Sequence, residues 1–403
     1  MAINVTNIIE NSIHNSVYNF YKNSNSIEMI FAGDFCPQKG MENLILNNQF
    51  DKIFNDTLQI LKNKDISVIN LECPLAINNN PIRKSGPTLR AHPKAVKALK
   101  FAGFDVVCLA NNHILDHGES AILDTITYCN NENIKTVGAG NNLQNASKTL
   151  YVNVKEKIIA FLNFTEHEYS IAEKDHAGAN PLDPILNYYQ IIEAKKNADI
   201  IIIIIHGGSE HYSLPSPNMV KTYRFYSDLG ANLIIGHHTH TPSGFEIYNG
   251  VPIFYSLGNF IFDRESVTTS GWYEGYLVKV SISDKTISNI ELIPYLQNKE
   301  SKGAKLMEDK NKKDFLTKIK NYSDIIENGR LLLNEWENHC NSKQIYYLNN
   351  VFHWNKLVRQ LIKRKVIPMK YFINDESSLS LLNTIRCETH HEILVNILSR
   401  ITP

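Results

Sequence analysis

From residue 27 to about 295, short apolar runs alternate with stretches in which apolar residues recur at helical spacing. The runs are IEMIFAG (27–33), ISVINLE (66–72), DVVCLANN (105–112), IIAFLNF (158–164), DIIIIIIHGG (199–208), ANLIIGHH (231–238) and VPIFYSLGNF (251–260). Runs this short and this continuously apolar read as strands buried on both faces. Between them, PKAVKALKFAG (93–103) and MVKTYRFYSDLG (219–230) each close on a glycine just after the last apolar residue, which is a helix stop. The alternation predicts an α/β layered domain.

The texture changes near residue 300. NKESKGAKLMEDKNKKD (298–314) is polar and rich in lysine, and long helical patterns follow it to the end of the chain. The expected organisation is therefore a polar N-terminal segment (1–26), an α/β domain (27–299) and an α-helical C-terminal extension (300–403). The lysine-arginine run at 363–365 reads as a solvated helix face, and HHE at 390–392 lacks the spacing of a helical zinc motif.

Composition narrows the function classes. Lysine plus arginine balances aspartate plus glutamate at 41 each, so nothing predicts bulk binding to nucleic acid or to an anionic membrane. Six cysteines are scattered without a Cys-x-x-Cys pair, which fits a reducing compartment better than a disulfide framework. The Asn- and Ser-rich N-terminus lacks the pattern of a signal peptide, and the isoleucine run at 200–205 is too short to span a bilayer. The expectation is a soluble cytoplasmic protein without a membrane anchor.

The candidate chemistry sits where the runs end. Asp34 ends the first run, Glu72 the second, Asn112 and His113 the third, and His206 the isoleucine run; IIGHHTH (234–240) supplies His237, His238 and His240. Each of these alone has an ordinary structural role, such as a turn, a cap or a packed core histidine. Five strand ends carrying carboxylate, amide and imidazole in one domain are harder to dismiss, because ligands bind at the carboxyl ends of strands in α/β sheets. Hard carboxylate oxygens with neutral imidazole nitrogens suit Mn, Fe, Co or Zn. Two such cations can clamp the attacking and leaving oxygens of a displacement at phosphorus. His113 is placed to assist at a developing oxyanion, and Asp116 to orient it. Arg90, Glu210 and Asn259 are candidates for the substrate side; a guanidinium such as that of Arg90 can grip phosphate or carboxylate with two bonds. If the chain stays extended through 237–240, alternation puts His238 and His240 on one face, as ligands, and His237 on the other.

The motifs GDF, NLECPL, LANNHILDHG, VGAG, HGGSE, IIGHHTH and YSLGNFIFD occur in this order over residues 27–265. In that order they resemble the poly-gamma-glutamate capsule biosynthesis (CapA, or PGA_cap) family, itself similar to the calcineurin-like metallophosphatases. The resemblance implies a four-layer α/β/β/α sandwich and a site for two divalent metal ions. It implies Asp34, Glu72, Asn112, His206, His238 and His240 as metal ligands, with Glu72 in the bridging place, and His113 toward the leaving group. Residues 300–403 lie outside it. Cys36 stands where metallophosphatases carry the histidine of Asp-x-His, so the resemblance implies that one metal site lacks a ligand. Gly207 replaces a usual tryptophan, His211 precedes Tyr212, Thr239 sits between the last two histidines, and Ser243 stands for a usual glutamine; these departures imply an altered ligand. The implied activity is hydrolysis of a phosphoester linked to capsule or cell-surface polymer assembly, acting on an anionic small molecule or polymer. Two other readings stay open: a non-catalytic accessory protein that binds an anionic polymer or a synthetase partner, and an amide hydrolase or transferase acting on glutamyl substrates. The C-terminal helices are the candidate surface for self-association or for the synthetase.

Overall fold

A computed structural model of the chain describes residues 3–14, 26–263, 270–298, 302–368, 371 and 375–401. Among these residues the first compact unit, Met1–Leu332, holds two large sheets. In the first sheet the strands run in space as Ala304–Leu306, Thr286–Gln297, Glu274–Ser283, Ile27–Cys36, Ile66–Leu71, Val106–Cys108 and Lys135–Val137. Asn259–Phe262 pairs in parallel with the far end of Ile27–Cys36. In the second sheet the order is Phe245–Tyr248, Val251–Phe254, Leu233–His237, Ile200–His206, Lys157–Thr165 and Leu150–Val154. The middle strands of both sheets are parallel; antiparallel strands close both edges of the second sheet and one edge of the first, whose other edge, Lys135–Val137, is parallel.

The isoleucine run shows how the layers form. Ile200, Ile202 and Ile204 join the cluster between the sheets, with Met29, Phe31, Val68 and Val106 of the other sheet. Ile201, Ile203 and Ile205 face the opposite way and pack with Tyr223 and Tyr226 of the helix Pro217–Leu229. The first sheet likewise turns Ile30, Ile69 and Val107 outward onto Ala98 and Leu99 of the helix Ala95–Ala102. A strand with two apolar faces must be covered twice, so the order of layers is α/β/β/α. Both flanking helices end as the glycines require, Gly103 at φ 91 and Gly230 at φ 122.

Three expectations change. The N-terminal segment is not simply polar: Val5–His14 is a helix whose Val5, Ile8 and Ile9, at helical spacing, join the inter-sheet cluster. Residues 15–25 of that segment lie outside the described residues. The change of texture at 300 is not where contacts divide, because Ala304–Leu306 adds a strand to the first sheet and the helix Asp309–Glu327 buries Phe315, Leu316 and Ile319 between the sheets. The division falls after Leu332. Residues 299–301 of the expected linker lie outside the described residues. The run 251–260 is two strands, Val251–Phe254 and Asn259–Phe262, which belong to different sheets.

The second unit, Leu333–Pro403, is helical where described, with Lys356–Lys363, Asp375–Arg386 and Glu388–Ile401. Among the described residues no helix is long and apolar enough to cross a membrane.

Candidate metal centre

The strand ends converge because the two sheets present their carboxyl edges to one place. Asp34 sits where the Ile27–Cys36 strand slips register twice, between Phe31 and Asp34 against one neighbour and between Asp34 and Phe35 against the other. Such bulges re-aim a side chain at the end of a ladder. Close approach is also required. A Cβ on Gly33 would lie 2.0 Å from the Gly258 carbonyl oxygen, and one on Gly236 would lie 2.2 Å from that of Tyr255. Only glycine fits at either position.

Asp34 and Glu72 are both fully buried, yet their surroundings differ. Asp34 Oδ1 accepts from Asn70 Nδ2 at 2.8 Å, and Oδ2 accepts from the His238 backbone N–H at 3.2 Å. His237 Nδ1 lies 3.0 Å from Asp34 Oδ1, close but not aligned as a hydrogen bond. Burial pushes the Asp34 carboxyl up, but the imidazoles of His237, His206 and His240 outweigh it and hold the group well below the usual carboxylate range. Glu72 has no such support. Neither of its buried side-chain oxygens has a hydrogen-bond partner among the described residues. Burial first, then the Asp34 and Glu210 carboxylates, push it well above the usual range.

Three imidazoles complete the cluster. His206 Nε2 lies 3.0 Å from His238 Nδ1, 3.0 Å from Asn112 Oδ1 and 3.8 Å from Glu72 Oε1. His240 Nε2 lies 3.5 Å from Glu72 Oε1, and its Nδ1 is 3.8 Å from Asp34 Oδ2. Burial holds His206 well below its ordinary value and His240 down at about 4. Neutral imidazole is the form that ligates metal. The donors fall into two sets whose ligand atoms lie within 4.8 Å of one another: Glu72, His206 and His238; and Asp34, Glu72 and His240. Metal–ligand bonds of about 2.0–2.1 Å in a tetrahedron put donor atoms about 3.4 Å apart. A buried carboxylate with two unpartnered oxygens, common to both sets and ringed by imidazole lone pairs, fits two cations better than it fits a core without them.

The histidine segment does not stay extended. The strand Leu233–His237 ends at His237, and the backbone is left-handed at His238 (φ 92) and His240 (φ 57). The alternation argument for the three histidines therefore fails. His238 and His240 reach the donor sets through two strained turns. His237, the strand's last residue and the register partner of His206, faces Asp34.

The remaining candidates divide. Asn112 turns Oδ1 to His206, while its Nδ2 donates toward the Glu168 carboxylate at 3.3 and 3.4 Å. His113 Nδ1 is 2.6 Å from Asp116 Oδ2. Burial lowers the His113 imidazole below its ordinary value, with Asp116 opposing. Asn259 supports His240: its Oδ1 lies 3.0 Å from His240 Nδ1, and its Nδ2 donates to the His240 and Trp272 carbonyls. Glu210 is exposed at the edge of the cluster. Partial burial raises its carboxyl, but His240, His238, His211 and His113 together draw it below the usual range. Arg90 is not brought in; Nη1 donates to the Ala76 carbonyl at 3.1 Å.

Sequence reasoning missed several contributors. Asn70 lies inside an apolar run, two residues before Glu72, and its Nδ2 also reaches His206 Nδ1 at 3.2 Å. A polar residue in a buried strand was a usable signal. Trp272 packs its ring 4.9 Å from that of His240, and Lys84 reaches Asp116; neither carries a mark in the sequence.

Comparison with known proteins shows the family. Residues 28–264 match the family described as Bacterial capsule synthesis protein PGA_cap. Over 309 residues the chain is 33% identical to the PGA biosynthesis protein CapA of Bacillus subtilis, covering 75% of this chain and 80% of that one. It is 30% identical over 302 residues to the capsule biosynthesis protein CapA of Bacillus anthracis, covering 72% and 73%. Among solved structures it is similar to the 5'-nucleotidase of Candida albicans, with 11% identity, a TM-score of 0.41, and 75% and 58% of the two chains covered.

Proposed function

The chain belongs to the PGA_cap family of bacterial capsule synthesis proteins, and from that premise we propose that it is a divalent-metal-dependent hydrolase of phosphoesters. The observation that carries this reading is the pair of donor sets that share Glu72. Asp34, Glu72 and His240 would hold one cation; Glu72, His206 and His238, with Asn112 Oδ1 beside them, would hold the other. When bound, two cations neutralise charge on a phosphoryl group and make water more acidic. The chain's own residues supply the rest. Asp116 keeps the His113 ring oriented through Nδ1, leaving Nε2 as the nitrogen free for a departing oxygen. Asn259 does the same for His240, and Glu168 fixes which way the Asn112 amide faces. The relatives' names place them in capsule and poly-gamma-glutamate synthesis, so an anionic polymer or one of its precursors is the substrate class we favour.

One observation favours a second reading. Cys36 is buried, with its thiol pushed well up by burial, and the cation set that contains Asp34 has a single imidazole. A chain that binds only one cation would serve as an accessory that grips an anionic polymer or a synthetase. Metal analysis of purified protein separates the two readings when combined with a panel of phosphoesters and glutamyl amides. Two transition metals per chain, with turnover lost in His206→Ala, supports the enzyme. Metal-loaded protein inert on the whole panel supports the accessory. Activity unchanged in His206→Ala overturns the assignment of the centre.

A further inference from the structure

The segment 77–88 runs over the surface, and most of its residues are exposed. Lys84 is the exception in its side chain, which folds inward to 2% exposure. Its Nζ lies 2.5 Å from Asp116 Oδ1, 3.2 Å from the Asn112 carbonyl and 3.3 Å from His113 Nδ1. Asp116 is a hub for the same segment. Its Oδ2 accepts from the Leu89 backbone N–H at 2.6 Å, and its carbonyl accepts from Ile82 N–H at 2.9 Å. A buried lysine–carboxylate pair is a poor source of stability, since desolvating both charges offsets their attraction. Its effect here is geometric.

The geometry points to Lys84 as a positioning residue for His113, acting through Asp116. Asp116 has two oxygens and three partners, Lys84 on Oδ1 and both the Leu89 N–H and His113 on Oδ2. With Oδ1 held by Lys84, Oδ2 faces His113 Nδ1 and takes the hydrogen bond there, so the proton that a departing oxygen receives is one carried on Nε2. Without Lys84, Oδ1 loses its partner and the carboxylate is held only through Oδ2, by the Leu89 N–H and the ring itself, so it can tilt and reorient the ring. The surface segment thus becomes part of the apparatus that aims His113. This inference rests on the hydrolase reading for its kinetic consequence, but not for its structural one.

The test uses the full chain loaded with zinc, comparing Lys84→Met with Lys84→Arg. Histidine-labelled protein is read by nitrogen NMR, with His113→Ala assigning the ring. The wild type should show His113 protonated on Nδ1; Lys84→Met should give mixed tautomers, and Lys84→Arg should restore the wild-type pattern. Metal content should not change. On aryl phosphates, kcat should fall about 10–100-fold in Lys84→Met with KM unchanged. The loss should be larger for phenyl than for nitrophenyl phosphate, the poorer leaving group needing His113 more. An unaltered His113 tautomer in Lys84→Met overturns the inference, as does a loss that is equal for both leaving groups. If the wild type turns over nothing, the hydrolase reading fails, and the NMR comparison still decides the role of Lys84.

Discussion

Replacing Glu72 by glutamine should stabilise the protein without metal and destabilise it with metal. The side chain is fully buried, with two unpartnered oxygens, and shares its cavity with the Asp34 carboxylate. A buried polar atom left unpaired costs about 1–3 kcal/mol. Glutamine cannot ionise beside Asp34, and it adds two N–H donors next to His206 Nε2 and His240 Nε2, which lie 3.8 and 3.5 Å from Glu72 Oε1. In chelator the variant should therefore gain about 1–3 kcal/mol. At roughly 2–4 °C per kcal/mol or less for a domain this large, that is a rise of a few degrees in melting temperature. In metal the order reverses. A ligand held at 100 times its dissociation constant stabilises the folded state by about 2.7 kcal/mol, and glutamine gives up the carboxylate that both donor sets share. Differential scanning calorimetry with EDTA, then with excess Mn or Zn, reads both signs. A variant that melts below wild type in EDTA, or that keeps the full metal-induced shift, refutes the reasoning.

Other expectations follow from the same geometry. His238→Ala and His240→Ala should each remove about one metal per chain by mass spectrometry, from different donor sets. His237→Ala should keep the stoichiometry but weaken affinity about 10–100-fold, because it deprives Asp34 of a neighbour 3.0 Å away. Gly236→Ala should destabilise by about 1–3 kcal/mol or more in urea denaturation, since its Cβ would meet the Tyr255 carbonyl at 2.2 Å. Native alkylation at pH 8 should label Cys340 and Cys387 and spare Cys36, Cys73, Cys108 and Cys129, all buried; burial pushes the Cys129 thiol up to about 12. Peptide mass spectrometry distinguishes them, and fast labelling of Cys129 would contradict its burial.

The strands were legible because a run such as Ile200–Ile205 cannot be anything but buried on both sides. Which sheet each belongs to was not, since an isoleucine facing inward and one facing outward look alike in sequence. The run 251–260 shows the cost: Tyr255–Leu257 read as strand, while the chain there leaves one sheet for the other. The helix Val5–His14 was hidden by its asparagines, although Val5, Ile8 and Ile9 had the right spacing. Asp34, Glu72, Asn112, His206, His238 and His240 could be picked out because each ends an apolar run or follows one closely. Lys84 could not, because its place among exposed Asn, Pro, Arg and Ser gives no hint that it turns inward. Arg90 was chosen for its chemistry alone, and the chain uses it on the Ala76 carbonyl.

The left-handed backbone at His238 and His240 has a bearing on how such proteins diverge. Each position holds a bulky side chain where glycine or asparagine would relieve about 1–3 kcal/mol of strain. Folding alone therefore favours glycine at both places, and the proposed ligation would oppose it. A lineage that abandons the chemistry gains stability by drifting to glycine there, so the residues at these two places form a readable record. If the proposed centre is correct, relatives with histidine at both places should bind metal, and those with glycine at either should have lost it.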